Sequence, residues 1–164
     1  MTSNDAHPFS FERVDYADPR AVSLRATMDE EMNARYSVDG EPIEALTLAA
    51  LAVHPEDVRA TVLVIDHDGT PIGHAVLRIL RGDWEVKRVI VTGDQRGRGV
   101  GSALMLELEN IARAEGAARL ILQTGDRQPE AVALYEKIGY TPIPLYEPYA
   151  TAIPFSLCFE KSLR

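Results

Sequence analysis

The chain has a single cysteine, Cys158, among 164 residues. One thiol cannot form an internal disulfide framework, and it cannot supply a cysteine-rich zinc site. His7, His54, His67 and His74 are scattered with no pair at ligand spacing, so no metal is expected. Long apolar runs are missing too: no segment approaches the ~20 residues that span a bilayer, and no membrane partner is expected. The start, Met1-Thr2-Ser3-Asn4-Asp5, lacks a basic stretch followed by an apolar one, so a cytoplasmic location is expected. Positive charge is scarce: Lys and Arg number 17 against 25 Asp and Glu, giving a net charge of −8. Such a chain is poorly suited to wrapping nucleic acid, would attract cations, and must build any anion site locally. Internal repeats and low-complexity tracts are also absent.

What remains is ordinary globular composition, 46% apolar and 26% charged, at a length that suits one domain. Residues 1–8 are polar, end in Pro8 and read as a frayed terminus; residues 9–164 read as a single domain. Phe9 to Tyr16 reads as a strand, Pro19 to Arg35 as a helix, Ser37 to Pro42 as a loop and Ile43 to Leu51 as a short helix. Three β-rich runs follow, Ala60 to Ile65, Ile72 to Leu80 and Trp84 to Thr92. They are separated by the turns Asp66-His67-Asp68-Gly69 and Arg81-Gly82-Asp83, which imply an antiparallel meander. The period then changes to helical, with Leu104, Leu108, Ile111 and Ala112 on one face and Gly116 as terminator. Arg119 to Gln123 reads as a buried strand. Pro129 opens a helix that ends at Gly139, and Ile153 to Glu160 reads as a last strand. The expected architecture is an α/β sandwich around a mixed sheet, antiparallel in its first part, with helices on both faces.

The most informative stretch is Gln95-Arg96-Gly97-Arg98-Gly99-Val100-Gly101-Ser102, between a strand and a helix. Glycines allow close backbone approach, and a helix start presents free N–H groups and the positive end of its dipole. With Arg96 and Arg98 added, the segment reads as a pyrophosphate site. No Gly-Lys-Ser/Thr follows, as a P-loop would need. No glycine or alanine stands at Ser102, and no acid closes the next strand, as a dinucleotide fingerprint would need. A plain glycine-rich loop is the other reading of these residues alone.

The pattern Arg96-x-x-Gly99-x-Gly101 resembles the acetyl-CoA signature of the GNAT superfamily, the Gcn5-related N-acetyltransferases. A second block, Gln128-Pro129-Glu130-Ala131-Val132-Ala133-Leu134-Tyr135-Glu136-Lys137-Ile138-Gly139-Tyr140, resembles that family's later helix and its Leu-Tyr-x-x-x-Gly-aromatic ending. The tail Ser156-Leu157-Cys158-Phe159-Glu160-Lys161, and Glu85-Val86-Lys87-Arg88 leading into the signature, are similar to a small bacterial subgroup. The resemblance covers roughly Ala60 to Leu163, and the first sixty residues match only loosely.

The resemblance implies acetyl-CoA as cosubstrate, held by Arg96, Gly97, Arg98, Gly99, Val100, Gly101 and Ser102. Its pantetheine arm would pair with backbone at Val89 and Val91 as an added strand does. It implies direct attack of a neutral amine on the thioester. Tyr135 would support the departing thiolate, and Glu85, eleven residues before Arg96, would be the base. In a strand Glu85, Lys87, Val89 and Val91 share one side. A solvated strand end, or a salt bridge to Lys87 or Arg88, is the other reading of Glu85. Arg35, Tyr36, Arg88 and Tyr146 are candidates for the acceptor pocket, with Tyr149 beside them; an arginine there could grip a carboxylate. His74 and Cys158 read as structural. The expected activity is acetylation of a small primary amine. The alternatives are a protein lysine or N-terminal acetyltransferase, and a non-catalytic acyl-CoA-binding module. An exposed last strand could support a homodimer.

Overall fold

The computed structural model describes residues 8–37, 40, 41, 43–95 and 97–164. The frayed-terminus expectation therefore falls almost entirely outside the described residues, as does Arg96. Strand β1 (Phe9–Val14) leads into helix α1 (Pro19–Tyr36), α2 (Ala45–Leu51) and a 3-10 turn at Pro55–Asp57. The meander β2 (Val58–Asp66), β3 (Pro71–Leu80) and β4 (Asp83–Val91) follows. Then come α3 (Val100–Ala114), β5 (Arg119–Thr124), α4 (Pro129–Lys137), β6 (Thr141–Ile143), α5 (Tyr149–Ala152) and β7 (Leu157–Ser162). One sheet runs β1-β2-β3-β4-β5-β7-β6, and among the described strands only β4 and β5 pair in parallel.

Local chemistry accounts for most element ends. Asp18 caps α1 by accepting from the Arg20 amide at 2.9 Å, and Pro19 loses no helical bond at the first position. Arg81 and Gly82 take φ of 51° and 87°, the two left-handed residues of a tight hairpin turn. The last strand begins later than its apolar run implies. Ile153 closes α5, and the Ser156 amide turns back onto the Ile153 carbonyl, so pairing starts at Leu157. The short β6 and α5 carry too few periodic residues to stand out in sequence.

The main core lies on the face covered by α3 and α4. Val62, Val64, Leu77, Val86, Leu120, Leu122 and Phe159 from the sheet meet Leu104, Met105 and Leu108 from α3 and Tyr135 from α4. A smaller cluster on the opposite face gathers Ala50, Tyr149, Ile153 and Cys158.

Strand β4 departs from ideal geometry twice. Lys87 faces Val76 and Ile90 faces His74, so Arg88 and Val89 together stand opposite Ala75. This bulge puts Arg88 at φ 58°. It also reverses the alternation: Glu85, Lys87 and Ile90 share a face, while Val91 faces the main core with Gly73 opposite. The expectation that Glu85, Lys87, Val89 and Val91 share one side is corrected by that extra residue. The second departure is a fork. Parallel pairing to β5 covers only Trp84–Val86 against Leu120–Leu122. From Lys87 to Val91 the strand has β3 on one side and, among the described residues, no strand on the other.

His74 holds the bulge. Its Nδ1 bonds the Arg88 carbonyl at 2.8 Å, which places the proton there and leaves Nε2 to accept from Arg25 Nη1 at 2.9 Å. The bond from Arg25 requires a neutral ring. Burial, aided by the charges of Arg25 and Arg88, pushes the imidazole down to about 4. The unfolded ring takes its proton near pH 6.5 and the folded ring does not. Stability is therefore full above ~6.5 and lost as pH falls toward ~4. Between pH 7.5 and 5, urea denaturation should lose about 2 kcal/mol that a His74→Gln variant does not lose. Equal slopes in both proteins would contradict this account.

Candidate active site

The fork opens into a cavity of about 1260 Å3. Its walls are β4 from Val86 to Val91, the first turn of α3, the end of β5, Leu134 and Tyr135 of α4, and the end of α1. The glycine-rich turn forms one end. Gly97 and Gly99 have φ of 89° and 78°, and no atom lies within 4 Å of a side-chain carbon built on either. Glycine is needed there for backbone conformation, and the space beside it is open. At Gly101 the reason is contact: an added carbon would stand 3.0 Å from Leu134 Cδ2 and 3.8 Å from Val91 Cγ2. Here α3, α4 and β4 pack against one another. Helix α3 starts at Val100 behind the N-cap Gly99, which has no side chain to bond the first N–H groups. Gly97, Gly99, Val100, Gly101 and Ser102 all line the cavity. The Arg98 guanidinium is engaged with Gln95 and lies 3.6 Å from Asp66.

Val89, Ile90 and Val91 line the cavity from the unpaired edge of β4. Tyr135 lines it from α4, although it is only 6% exposed. Its ring is wedged against Tyr140 and Phe159, with centroids 5.9 and 6.3 Å away. Its hydroxyl has no hydrogen-bond partner among the described residues. Burial pushes that phenol above its ordinary value, so it is a proton donor at neutral pH.

Glu85 sits elsewhere. It is fully buried and does not line the cavity. One oxygen accepts from Arg78 Nε at 2.7 Å; the other accepts from the Tyr146 and Tyr149 hydroxyls at 2.6 and 2.9 Å. Tyr146 is thus part of the same network, and it does not line the cavity either. Arg78 Nη2 and Lys87 Nζ both donate to the Tyr149 hydroxyl, at 3.0 and 2.9 Å. Of these groups, only Lys87 reaches the cavity. Burial lowers its ammonium to about 8, against the opposing pull of Glu85. Sequence reading gave Lys87 only as a salt-bridge partner and passed over Arg78. The available signal was the turn: a hairpin closed by Arg81-Gly82 sets Arg78 opposite Glu85.

The acceptor candidates Arg35, Tyr36 and Arg88 line the cavity. Arg35 pairs with Glu130 at 2.5 Å, and Arg88 donates to Asp29 at 2.7 Å, so each arginine already holds a carboxylate of the protein. The Tyr36 hydroxyl accepts from the Arg127 amide at 2.9 Å, and its ring stacks on Phe155 at 6.3 Å. A side chain at Gly125 would collide with that ring. The end of α1 is thereby clasped to the β5–α4 loop. Among the described residues no group of histidine, cysteine or acidic side chains could hold a metal, and no helix is long and apolar enough to cross a membrane.

Residues 24–140 match the model of the Acetyltransferase (GNAT) family. The IAA acetyltransferase of Azospirillum brasilense is 37% identical over 139 residues, covering 82% of this chain and 87% of that one. A Klebsiella pneumoniae structure assigned to the acyl-CoA N-acyltransferases superposes with a TM-score of 0.78 at 25% identity, covering 95% of this chain and 98% of the other. A GNAT acetyltransferase from Elizabethkingia anophelis with acetyl-CoA bound shares the fold, with a TM-score of 0.66 at 15% identity over 94% of this chain and 98% of its own. The matched span includes the glycine-rich turn, the forked strand and Tyr135. The chain belongs to the GNAT acetyltransferase family and is an acetyl-CoA-dependent acyltransferase.

Proposed function

We propose that this protein transfers an acetyl group from acetyl-CoA to a primary amine of a small molecule, by direct attack while both are bound. One observation carries this reading. A single cavity joins an uncapped helix start at Val100, an unpaired strand edge from Lys87 to Val91, and the buried phenol of Tyr135. These are the three surfaces an acyl-CoA needs. The free N–H groups and dipole of α3 take the pyrophosphate. The open edge of β4 at Val89 and Val91 takes the amides of the pantetheine arm, as an added strand would. Tyr135 donates to the sulfur as it gains charge.

Tyr36, Gly125 and Arg127 are clasped together in the cavity wall, and we read that closed wall as suiting a compact acceptor over a protein chain. Glu41 and Glu44 line the same cavity, and their charge favours an incoming ammonium.

The test is free-thiol release from acetyl-CoA against amino acids, polyamines, aminoglycosides and short lysine peptides. Release that depends on a small amine supports the reading. Release with peptides alone assigns a protein acceptor, and tight acetyl-CoA binding without release on any amine assigns a binding module. A Gly99→Ala variant separates cradle from fold. A methyl at φ 78° costs about 1–2 kcal/mol of stability. It points into open space, so acetyl-CoA affinity should fall about tenfold, read by calorimetry. Undiminished affinity would remove Gly99 from the cradle.

A further inference from the structure

We propose that Lys87 is the group that takes the proton from the acceptor's ammonium. This rests on the acetyltransferase reading above.

Three observations place it. Lys87 is the first residue of β4 beyond the last pair with β5, so it stands at the apex of the fork. The glycine-rich turn lies past the other end of the same open edge. An arm whose pyrophosphate is held at that turn and which runs along β4 delivers its thioester toward the apex. Second, Lys87 is the one member of its buried network that lines the cavity, whereas Glu85 has both oxygens engaged behind it.

The third observation is charge. Arg78, Lys87 and Glu85 are all buried, two cationic groups against one carboxylate. Arg78 and Glu85 already form an ion pair at 2.7 Å. A charged Lys87 would leave one cation in excess in a dry site, and a neutral one balances the cluster. The Tyr149 hydroxyl donates to Glu85, so it accepts from Lys87. One donated bond uses one N–H of the amine and leaves its lone pair unengaged among the described residues. The charged and titratable groups that face Lys87 are Glu85 and Arg88 on β4, Arg78 on β3, Cys158 on β7 and Tyr149 on α5. Of these, Glu85 and, more weakly, Cys158 favour the ammonium, and Arg78 and Arg88 oppose it.

The step balances. An N–H bond of the acceptor ammonium breaks as one forms to Lys87 Nζ. The freed lone pair attacks the thioester carbonyl and the C–S bond breaks. The acceptor nitrogen's second proton ends on the sulfur, and Lys87 returns its own proton to water.

The chain has three lysines, Lys87, Lys137 and Lys161. Lysine labelled with 13C at Cε therefore gives three NMR titrations, each assigned by its lysine-to-arginine variant. We expect Lys87 to titrate near pH 8. The acidic limb of kcat/KM for the best amine of the panel should coincide with the Lys87 midpoint. Lys87→Met should lose that limb and about 10²-fold in kcat/KM, with acetyl-CoA affinity unchanged. Should the methionine variant unfold, Lys87→Cys alkylated to an aminoethyl thioether restores an amine of lower basicity, and the limb should return at lower pH. An ordinary Lys87 titration, or an unmoved limb in Lys87→Met, overturns the proposal. Absence of amine-dependent release in the wild type, with Lys87 titrating near 8, overturns the acetyltransferase reading itself and this role with it.

Discussion

Glu85→Gln is expected to destabilise the protein by about 3–5 kcal/mol, because it strips the counter-charge from Arg78, a guanidinium with a side chain only 4% exposed. At this chain length that loss lowers Tm by about 10 °C, measured by calorimetry. The same variant discriminates two readings of the site by sign. If the carboxylate were the base, its amide would abolish the acidic limb and fall furthest behind the wild type above it. With Glu85 acting behind Lys87, removing a negative charge that favours the ammonium lets the amine lose its proton more readily. The acidic limb should then move to lower pH, even as the maximal rate drops through loosened packing of Tyr146 and Tyr149. A limb that vanishes in Glu85→Gln and stays in place in Lys87→Met would restore Glu85 as the base.

Tyr135→Phe is expected to lower amine-dependent thiol release by about 10²-fold while acetyl-CoA affinity and Tm hold. The contrast with Glu85 follows from the surroundings of each group. The phenol makes no hydrogen bond to the described residues, so deleting it leaves no partner stranded. The ring keeps its contacts with Tyr140 and Phe159. What is lost is a donor facing the cavity. Because burial raises the phenol, its proton is available throughout the neutral range, and the loss should be nearly independent of pH. Near-wild-type release would reduce Tyr135 to a packing residue. A comparable fall in Tm would show the hydroxyl to be structural.

Local chemistry made much of this molecule legible in advance. The two hairpin turns, Pro19, Pro129 and the periodic face of α3 mark elements whose ends depend on neighbours in sequence, and the structure places them within a few residues of expectation. The glycine-rich turn was readable because positive φ leaves its mark in residue type. The bulge at Arg88 was not. It is a non-glycine residue in a left-handed conformation, held there by His74 from the neighbouring strand, and no local pattern announces such a contact. The surroundings of Glu85 were hidden for the same reason. Tyr146 and Tyr149 are more than sixty positions away, Tyr149 opening α5, a helix too short to show periodicity, and Tyr146 just before it. Arg78 was within reach, since the turn that sets the hairpin also sets its cross-strand pair.

The unpaired edge of β4 has a consequence for the traffic of reactant and product. On the proposed reading that edge recognises the amides of the carrier's arm, and those amides are identical before and after the acyl group departs. Free CoA should then hold nearly the same purchase on Val89, Val91 and the glycine-rich turn as the loaded thioester. Such a site distinguishes the two only at the apex beside Lys87, where the acyl group itself would lie. The enzyme would run at a pace set by the ratio of loaded to spent carrier around it, and a shortage of acetyl groups would slow it through competition from its own product.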